Sequence, residues 1–372
     1  MRILYVVNVD WFFISHRLPL AEHALSCGDE VFLAALNTGH KQKLESKGIT
    51  FIDIPFQRSG TNPLHEVKCI SLLKKTYAKV NPDIIHHITL KAAILGSIAA
   101  KIAHTKNVIN AISGFGYAFT DGRKGLKTQI IKGLLQVAFK SESFSFILQN
   151  PDDMKTVNSL HFVRPEQLHL IKGSGVDLNE YSYYEPQNKD VIECLFPARI
   201  LRDKGVMEFL KAAKSLESEA NGKLKFVLAG DCDKENLAMF PEDELRKWLV
   251  PGYIEWIGHQ SEMIPVFIKS DIVILPSYRE GLPKSLIEAC AIGRPIITTD
   301  AIGCRECVQN NINGFLVPVK NAEAIADAIR KLVIDEKLRL RMGKKSRELA
   351  EKEFSINSVI EKTFNIYQQY NI

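Results

Sequence analysis

The feature that most limits what this chain can become is an alternation, run through twice, of short apolar β-rich segments and stretches with helical spacing. Candidate strands of the first series lie at 3–7, 30–36, 50–54, 84–87, 108–112 and 146–149. Between them, apolar residues recur three and four apart over 18–26, 67–80 and 92–104. The second series places strands at 192–198, 225–229, 254–257, 272–276, 295–299 and 314–317, again with helical stretches between. Near-continuous apolar strands, each followed by a helix, mean parallel sheets covered on both faces. The expectation is an α/β protein of two Rossmann-like domains. A length of 372 residues agrees, being too long for one ordinary core. The stretch 172–190 is polar, Tyr-rich and punctuated by Gly and Pro, and reads as the join. The expected division is a first domain over 1–172, a linker over 173–190, a second domain over 191–355 and a helical tail over 356–372. Ligands of such sheets bind beyond the carboxyl ends of the strands, so the two sheets should face a central cleft.

Composition narrows the class. The chain is 46% hydrophobic and 24% charged, which excludes disorder, collagen and coiled coil as its main plan. Its net charge of +5 is uneven: residues 1–174 hold 21 Lys+Arg against 13 Asp+Glu, or +8, leaving 27 against 30, or −3, for the rest. The first half should therefore meet something anionic. Nucleic acid is not expected, because no binding motif or row of interleaved aromatics accompanies the charge. The longest run without Lys, Arg, Asp or Glu is 14 residues, 107–120, short of a membrane span. The N-terminus reads as a strand with no signal-peptide pattern, and seven scattered cysteines do not make a secreted disulfide framework. A reduced, cytoplasmic protein is expected. Cys304 and Cys307 form a Cys-x-x-Cys without a second ligand pair, and both read as packing residues.

Two clusters carry chemistry. In the first, a strand ends at Pro276, a loop bears Glu280 and Gly281, and a helix begins near Pro283 with Glu288 two turns along. Proline suits a first helical turn, and the N–H groups around Gly281, Leu282, Pro283 and Lys284 make a ready anion site. Taken alone, Glu280 could equally be a loop charge and Glu288 a solvated helix residue. In the second cluster, Arg199 follows a strand and Lys204 comes five residues later. Such a pair suits a diphosphate, Arg bridging two oxygens and Lys acting as a point charge, and neutralising a leaving phosphate would be its catalytic contribution.

Taken together, Arg199…Lys204-Gly, Ala-Gly-Asp at 229–231, Gly258, Glu280-Gly-Leu-Pro…Glu288-Ala, Gly293-Arg-Pro-Ile and Gly314-Phe-Leu-Val resemble glycosyltransferase family 4. The resemblance spans nearly the whole chain and is strongest over 192–320. It implies the two-Rossmann architecture called GT-B and retention of anomeric configuration. It also implies roles residue by residue. Arg199 and Lys204 would grip and stabilise the departing donor diphosphate. Glu280 would face the donor sugar, and Glu288 would bond the ribose hydroxyls. Backbone N–H groups of Gly281–Pro283 would touch sugar or phosphate, and Ile257 with Gly258 would flank the base. No cofactor is implied and no metal is needed; Asp231-Cys-Asp233, the sole Asp-x-Asp, fits the Ala-Gly-Asp turn instead. The last charged, helical stretch would cross back to the first domain.

The first half departs from the family pattern, having no glycine in the loop 8–15 and no histidine at 112–119. In both it resembles a bacterial subgroup that elongates glycans on polyprenyl diphosphate, for surface polysaccharides or protein glycosylation. With no histidine base, front-face displacement is expected, the departing phosphate helping to deprotonate the acceptor. His16 and Arg17 are read as starting a helix at the rim of the cleft. They either hold the acceptor's diphosphate or first sugar, or simply open an amphipathic helix. His87 and Lys91, near a strand's end, and Ser113 and Gly114, after another, are further acceptor candidates; His86 and His87 could instead pack. The segment 123–140 holds five cations and no acid, with Leu126, Ile130, Leu134 and Val137 in one stripe. It is read either as a surface for an anionic membrane or as a domain helix with that stripe in the core and Gly133 at a close contact.

The function expected is transfer of a hexose or N-acetylhexosamine from a nucleoside-diphosphate sugar, most simply a UDP-sugar, to a polyprenyl-diphosphate-linked saccharide, by an enzyme peripheral on the inner face of the cytoplasmic membrane. The alternatives are a GT-B enzyme on a soluble acceptor, a UDP-N-acetylhexosamine epimerase, and an inactive nucleotide-sugar-binding protein.

Overall fold

Runs of Val, Ile and Leu bounded by polar turns give two parallel sheets. The structure is a computed structural model; it describes residues 1–57, 62–114, 126–186, 189–233, 236 and 238–370, with 126–132 described by backbone alone. The chain divides into two units, Met1–Ser174 with Asn357–Ile372, and Gly175–Ile356.

In the first unit, β1 (Arg2–Val7), β2 (Glu30–Ala35), β3 (Thr50–Asp53), β4 (Ile84–Ile88), β5 (Val108–Ile112), β6 (Phe144–Leu148) and β7 (Leu168–Leu170) form one sheet in the order β3-β2-β1-β4-β5-β6-β7, every pair parallel. Ile3 to Val7 are wholly buried, as helices on both faces require. Asn62 caps the helix Pro63–Val80 by accepting the Leu64 N–H at 3.1 Å, and proline occupies its first turn. The last helix, Ile356–Gln368, buries Val359, Thr363, Ile366 and Tyr367. The Tyr367 hydroxyl lies 2.6 Å from His86 Nδ1 on β4.

The second unit pairs β8 (Ile192–Pro197), β9 (Leu224–Ala229), β10 (Ile254–Trp256), β11 (Ile272–Leu275), β12 (Ile296–Thr299) and β13 (Gly314–Val317) in the order β10-β9-β8-β11-β12-β13, also all parallel. A row of rings, Phe196, Phe209, Phe226 and Tyr253, spans its core at centroid spacings of 5.3, 5.5 and 5.4 Å. In both sheets strand order reverses once, between β1 and β4 and between β8 and β11. At such a point successive loops part to opposite sides and leave a crevice at the carboxyl ends of the strands.

Four differences from the sequence reading have local causes. β7, three residues at a sheet edge, is too short to show a period. The loop expected over 8–15 is mostly a helix, Asp10–His16. The buried Asp10 carboxylate holds its start, accepting from Trp11 N at 2.7 Å, Thr38 N at 2.7 Å, His40 N at 3.2 Å and the Thr38 hydroxyl. His16 therefore ends one helix, while Arg17 is the N-cap of the next, Leu18–Ser26, and is buried. In the helix Leu126–Phe139, Leu135, Ala138 and Phe139 face the core, whereas Leu134 and Val137 are 44% and 63% exposed. The stripe read from the sequence is thus not the core face where it is described, and a Cβ at Gly133 would touch nothing within 4 Å. The side chains of Leu126 and Ile130, with residues 115–125, lie outside the described residues. No helix among the described residues is long and apolar enough to cross a membrane.

Candidate active site

The reversal between β8 and β11 brings two loops together. After β8 the chain passes Arg199 and makes one 3-10 turn, Arg202–Lys204. It turns out through Gly205, whose φ of +76° is open to glycine; a Cβ there would lie 2.2 Å from the Pro276 carbonyl oxygen. After β11 come Ser277 and Glu280. The Tyr278 N–H donates to the Asp203 carbonyl at 2.9 Å, stitching the loops together.

On this frame Lys204 Nζ donates to Glu280 Oε1, and the buried Ser277 hydroxyl donates to the same oxygen at 2.5 Å. The Thr299 hydroxyl holds the Ser277 carbonyl from β12, and the Glu280 N–H donates to the Ile302 carbonyl at 2.9 Å. Gly303 must be glycine for a second reason of approach: a Cβ would stand 2.3 Å from the Glu280 carbonyl oxygen, at a φ of +78°. Arg199 Nη1 donates to Asp233 Oδ2 at 2.6 Å. Burial raises the Asp203 carboxyl; Lys204 opposes the rise and Glu280 adds to it. Its Oδ1 is buried without a hydrogen bond among the described residues.

Glu288 lies in the helix Lys284–Ile292, whose N-terminus follows Pro283 and has no side-chain cap. It is buried, and its Oε1 accepts from the Tyr181 hydroxyl at 3.0 Å and pairs with Lys284 Nζ at 2.7 Å. Gly281, Leu282 and Pro283 are buried at the mouth of that helix, and Lys284 is half-exposed. Gly258 is half-exposed beside the end of β9, where its carbonyl accepts the Gly230 N–H at 2.8 Å. Ile257 is exposed and lines a cavity of 530 Å³ with Lys225, Glu255 and Lys269, which includes none of the other candidates. Cys304 and Cys307 are buried and burial raises both thiols, Cys304 to about 12, so they are packing groups.

The first unit treats its candidates differently. His87, expected to reach an acceptor, is wholly buried one residue before the end of β4. Its Nδ1 lies 2.8 Å from Asn110 Oδ1 and its Nε2 2.9 Å from the Tyr77 hydroxyl. An amide oxygen only accepts, so Nδ1 carries the proton and Tyr77 donates to Nε2. With both nitrogens engaged, His87 has nothing to offer an acceptor, and the acceptor role falls. Adjacent side chains on a strand point to opposite faces, but this sheet is covered on both, so His86 is buried as well. Burial pushes His87 down to about 4 and His86 well below its usual value. Arg17 is 4% exposed, its guanidinium makes no hydrogen bond among the described residues, and burial lowers it to about 10. His16 stacks on Phe12 at 4.0 Å. Lys91 Nζ pairs with Glu66 Oε1 at 2.7 Å and donates to the Gln57 carbonyl at 2.8 Å. Ser113 and Gly114 follow β5 and are half-exposed.

Residues 181–349 match the family model "Glycosyl transferases group 1", and residues 2–147 match "Glycosyl transferase 4-like". Both units thus match glycosyltransferase family models, and the chain is a glycosyltransferase. This glycosyltransferase is 28% identical, over 99% of each chain, to the N,N'-diacetylbacillosaminyl-diphospho-undecaprenol alpha-1,3-N-acetylgalactosaminyltransferase of Campylobacter jejuni. It is 27% identical to the UDP-Gal:alpha-D-GlcNAc-diphosphoundecaprenol alpha-1,3-galactosyltransferase of Escherichia coli, over 82% of this chain and 80% of that one. Among solved structures, Anabaena Alr3699/HepE in complex with UDP-glucose superposes with a TM-score of 0.76 at 18% identity, covering 98% of this chain and 99% of that one. The fold is GT-B.

One group among the glycosyltransferase's described residues has metal-ligand character: His65, Glu66 and Cys69, on one helical turn. The Lys91 ammonium already neutralises its carboxylate. Sequence reasoning missed Ser277, Tyr181 and Asp233. Ser277, three residues before Glu280, could have been found as a hydroxyl in the loop of a motif glutamate. Tyr181 carried no signal, because its partner is 107 residues away.

Proposed function

We propose that this glycosyltransferase moves a hexosyl or N-acetylhexosaminyl group from a UDP-sugar to a saccharide carried on polyprenyl diphosphate, with retention and without a catalytic metal. The observation that carries the acceptor reading is the end-to-end similarity to the Campylobacter enzyme, which extends through the first unit.

The second unit supplies the donor chemistry. Arg199 and Lys204 neutralise the diphosphate as the bond from the anomeric carbon to its phosphate oxygen breaks. Both cations rest on carboxylates, so their charge is offset before the diphosphate arrives, and each keeps further N–H donors to offer its oxygens. Glu280 orients the sugar and offsets positive charge developing at the anomeric carbon, and Glu288 takes the ribose hydroxyls. The acceptor oxygen bonds to the same face of the sugar, and its proton passes to the departing phosphate. No histidine is required as base, in keeping with the burial of His86 and His87.

On the first unit, Arg17 is the anion-seeking candidate, with His16, Lys91, Ser113 and Gly114 nearer the surface. We assign the exposed Leu134 and Val137, on a helix whose segment is rich in lysine, to the lipid surface. The enzyme then works peripherally on the cytoplasmic face of the membrane. Vesicles with anionic headgroups should float the full chain at low salt and release it at high salt.

The deciding experiment incubates the enzyme with UDP-glucose, UDP-galactose and their N-acetylamino counterparts, each with and without a polyprenyl-diphosphate-linked saccharide. Growth of the lipid-linked saccharide by one sugar supports the reading. Interconversion of the donor without acceptor would instead reveal an epimerase, transfer to a soluble sugar alone a different acceptor class, and binding without turnover an inactive binding protein.

A further inference from the structure

The two motif glutamates are held in the same way. Each has one oxygen occupied by a lysine and a hydroxyl: Glu280 Oε1 by Lys204 and Ser277, Glu288 Oε1 by Lys284 and Tyr181. In neither does any described residue bond Oε2. A carboxylate tied through one oxygen by two donors in different directions cannot swing, and its second oxygen is left with a fixed aim.

For Glu288 the hydroxyl comes from outside the motif. Tyr181 belongs to the stretch expected to be a mere linker, yet that stretch is docked. Residues 177–181 make one turn, with Tyr181 N donating to the Asp177 carbonyl at 2.8 Å and Asp177 Oδ1 accepting Asn179 N at 2.8 Å. Arg347 then pins this turn to the glutamate's own helix. Its Nη1 donates to the Tyr181 carbonyl at 2.7 Å and to the Ala291 carbonyl, one turn past Glu288, at 2.9 Å; its Nη2 donates to the Leu178 carbonyl at 3.3 Å. Farther on, Tyr184 N donates to the Ile292 carbonyl at 3.1 Å, and the buried Arg294 donates to the Tyr184 carbonyl at 2.7 Å. The phenol thus reaches Glu288 from a backbone fixed to the same helix at several points.

We infer that Tyr181 is a positioning residue for donor recognition: it locks Glu288 through Oε1 so that Oε2 meets the ribose hydroxyls of the nucleoside diphosphate, and Arg347 locks Tyr181. The inference rests on Glu288 being the ribose ligand. Removing the hydroxyl leaves the carboxylate in place but lets it turn about Lys284, so discrimination for the ribose is lost before the fold is.

The test is calorimetric titration of the full chain with UDP, 2'-deoxy-UDP and 3'-deoxy-UDP, for wild type, Tyr181→Phe, Glu288→Gln and the double variant. Wild type should prefer UDP over at least one deoxy form. Tyr181→Phe should bind UDP about tenfold more weakly, the order expected for loss of a hydrogen bond to a charged group, while binding that deoxy form nearly as before. In the Glu288→Gln background the same change should have little further effect, the non-additivity expected of residues acting through one contact. Arg347→Met should shift the preference in the same direction by less. Equal weakening of all three ligands by Tyr181→Phe marks a packing role and overturns the inference, as does a wild-type preference kept intact. If wild type itself shows no preference for the ribose, the reading of Glu288 falls and takes the inference with it.

Discussion

The two units treat some of their candidate site residues in opposite ways. In the second, Arg199, Lys204 and Lys284 each rest on a carboxylate near the surface of the site. In the first, Arg17, His86 and His87 are buried, and Arg17 has no acid beside it among the described residues. A cation resting on an acid in partial contact with water is offset before its ligand arrives and still has N–H donors to offer a phosphate. A guanidinium buried without a counter-ion has already lost its hydration, and only a ligand anion would return that loss. The candidate donor cations of the second unit are thus offset before any ligand arrives, whereas Arg17 holds a charge that the fold alone gives no reason to keep.

The sharpest break of this contrast is Lys204→Ala. It should lower transfer by about 10²–10³-fold or more, the range for removing a group that stabilises charge in the transition state, with the thermal midpoint little changed. Full activity in a folded variant would sink the donor assignment.

Next in size is Arg17→Met. If Arg17 waits for an acceptor anion, the KM for the lipid-linked acceptor should rise about tenfold, as for loss of a charge-assisted bond to phosphate, while UDP binding stays as in wild type. Stability should be unchanged or higher, since an uncompensated buried charge is removed. A drop in stability with unaltered acceptor KM would return Arg17 to the core.

A smaller effect separates the interior histidines from the site. The folded-state pKa of His87 lies near 4, below the 6.5 of an exposed imidazole. The unfolded chain therefore binds the extra proton first as pH falls. The contribution of neutral His87 is complete above about 6.5 and should be lost toward pH 4, by up to about 3 kcal/mol. Urea midpoints measured across this window should fall, and less steeply in His87→Gln. The smallest effect expected is none: EDTA should leave the transfer rate unchanged, and a strong loss restored by a divalent ion would show that a metal takes part.

Much of the fold was legible because parallel strands covered on both faces need unbroken apolar runs, and those runs stand out in the sequence. What escaped was short or held by distant partners. β7 has three residues, and the helix Asp10–His16 depends on a carboxylate that meets Thr38 and His40 from another loop. The candidate donor residues were legible as a motif, since one loop and one helix carry Glu280 to Glu288. The acceptor residues were not. His87 looks like a strand-end ligand until Tyr77 and Asn110 are seen to take both of its nitrogens.

The sequence by itself determined the two-sheet α/β architecture, because the period of its apolar runs is a local property of the chain, and the spacing of its motifs offered the candidate donor cations and glutamates. Only the tertiary structure decided which of those groups are paired, which are sealed inside, and that Tyr181, read as part of a tether, is fastened to the glutamate helix by Arg347. Burial and hydrogen bonding are set by residues far apart in the chain, such as Arg347 and Tyr181, 166 positions away.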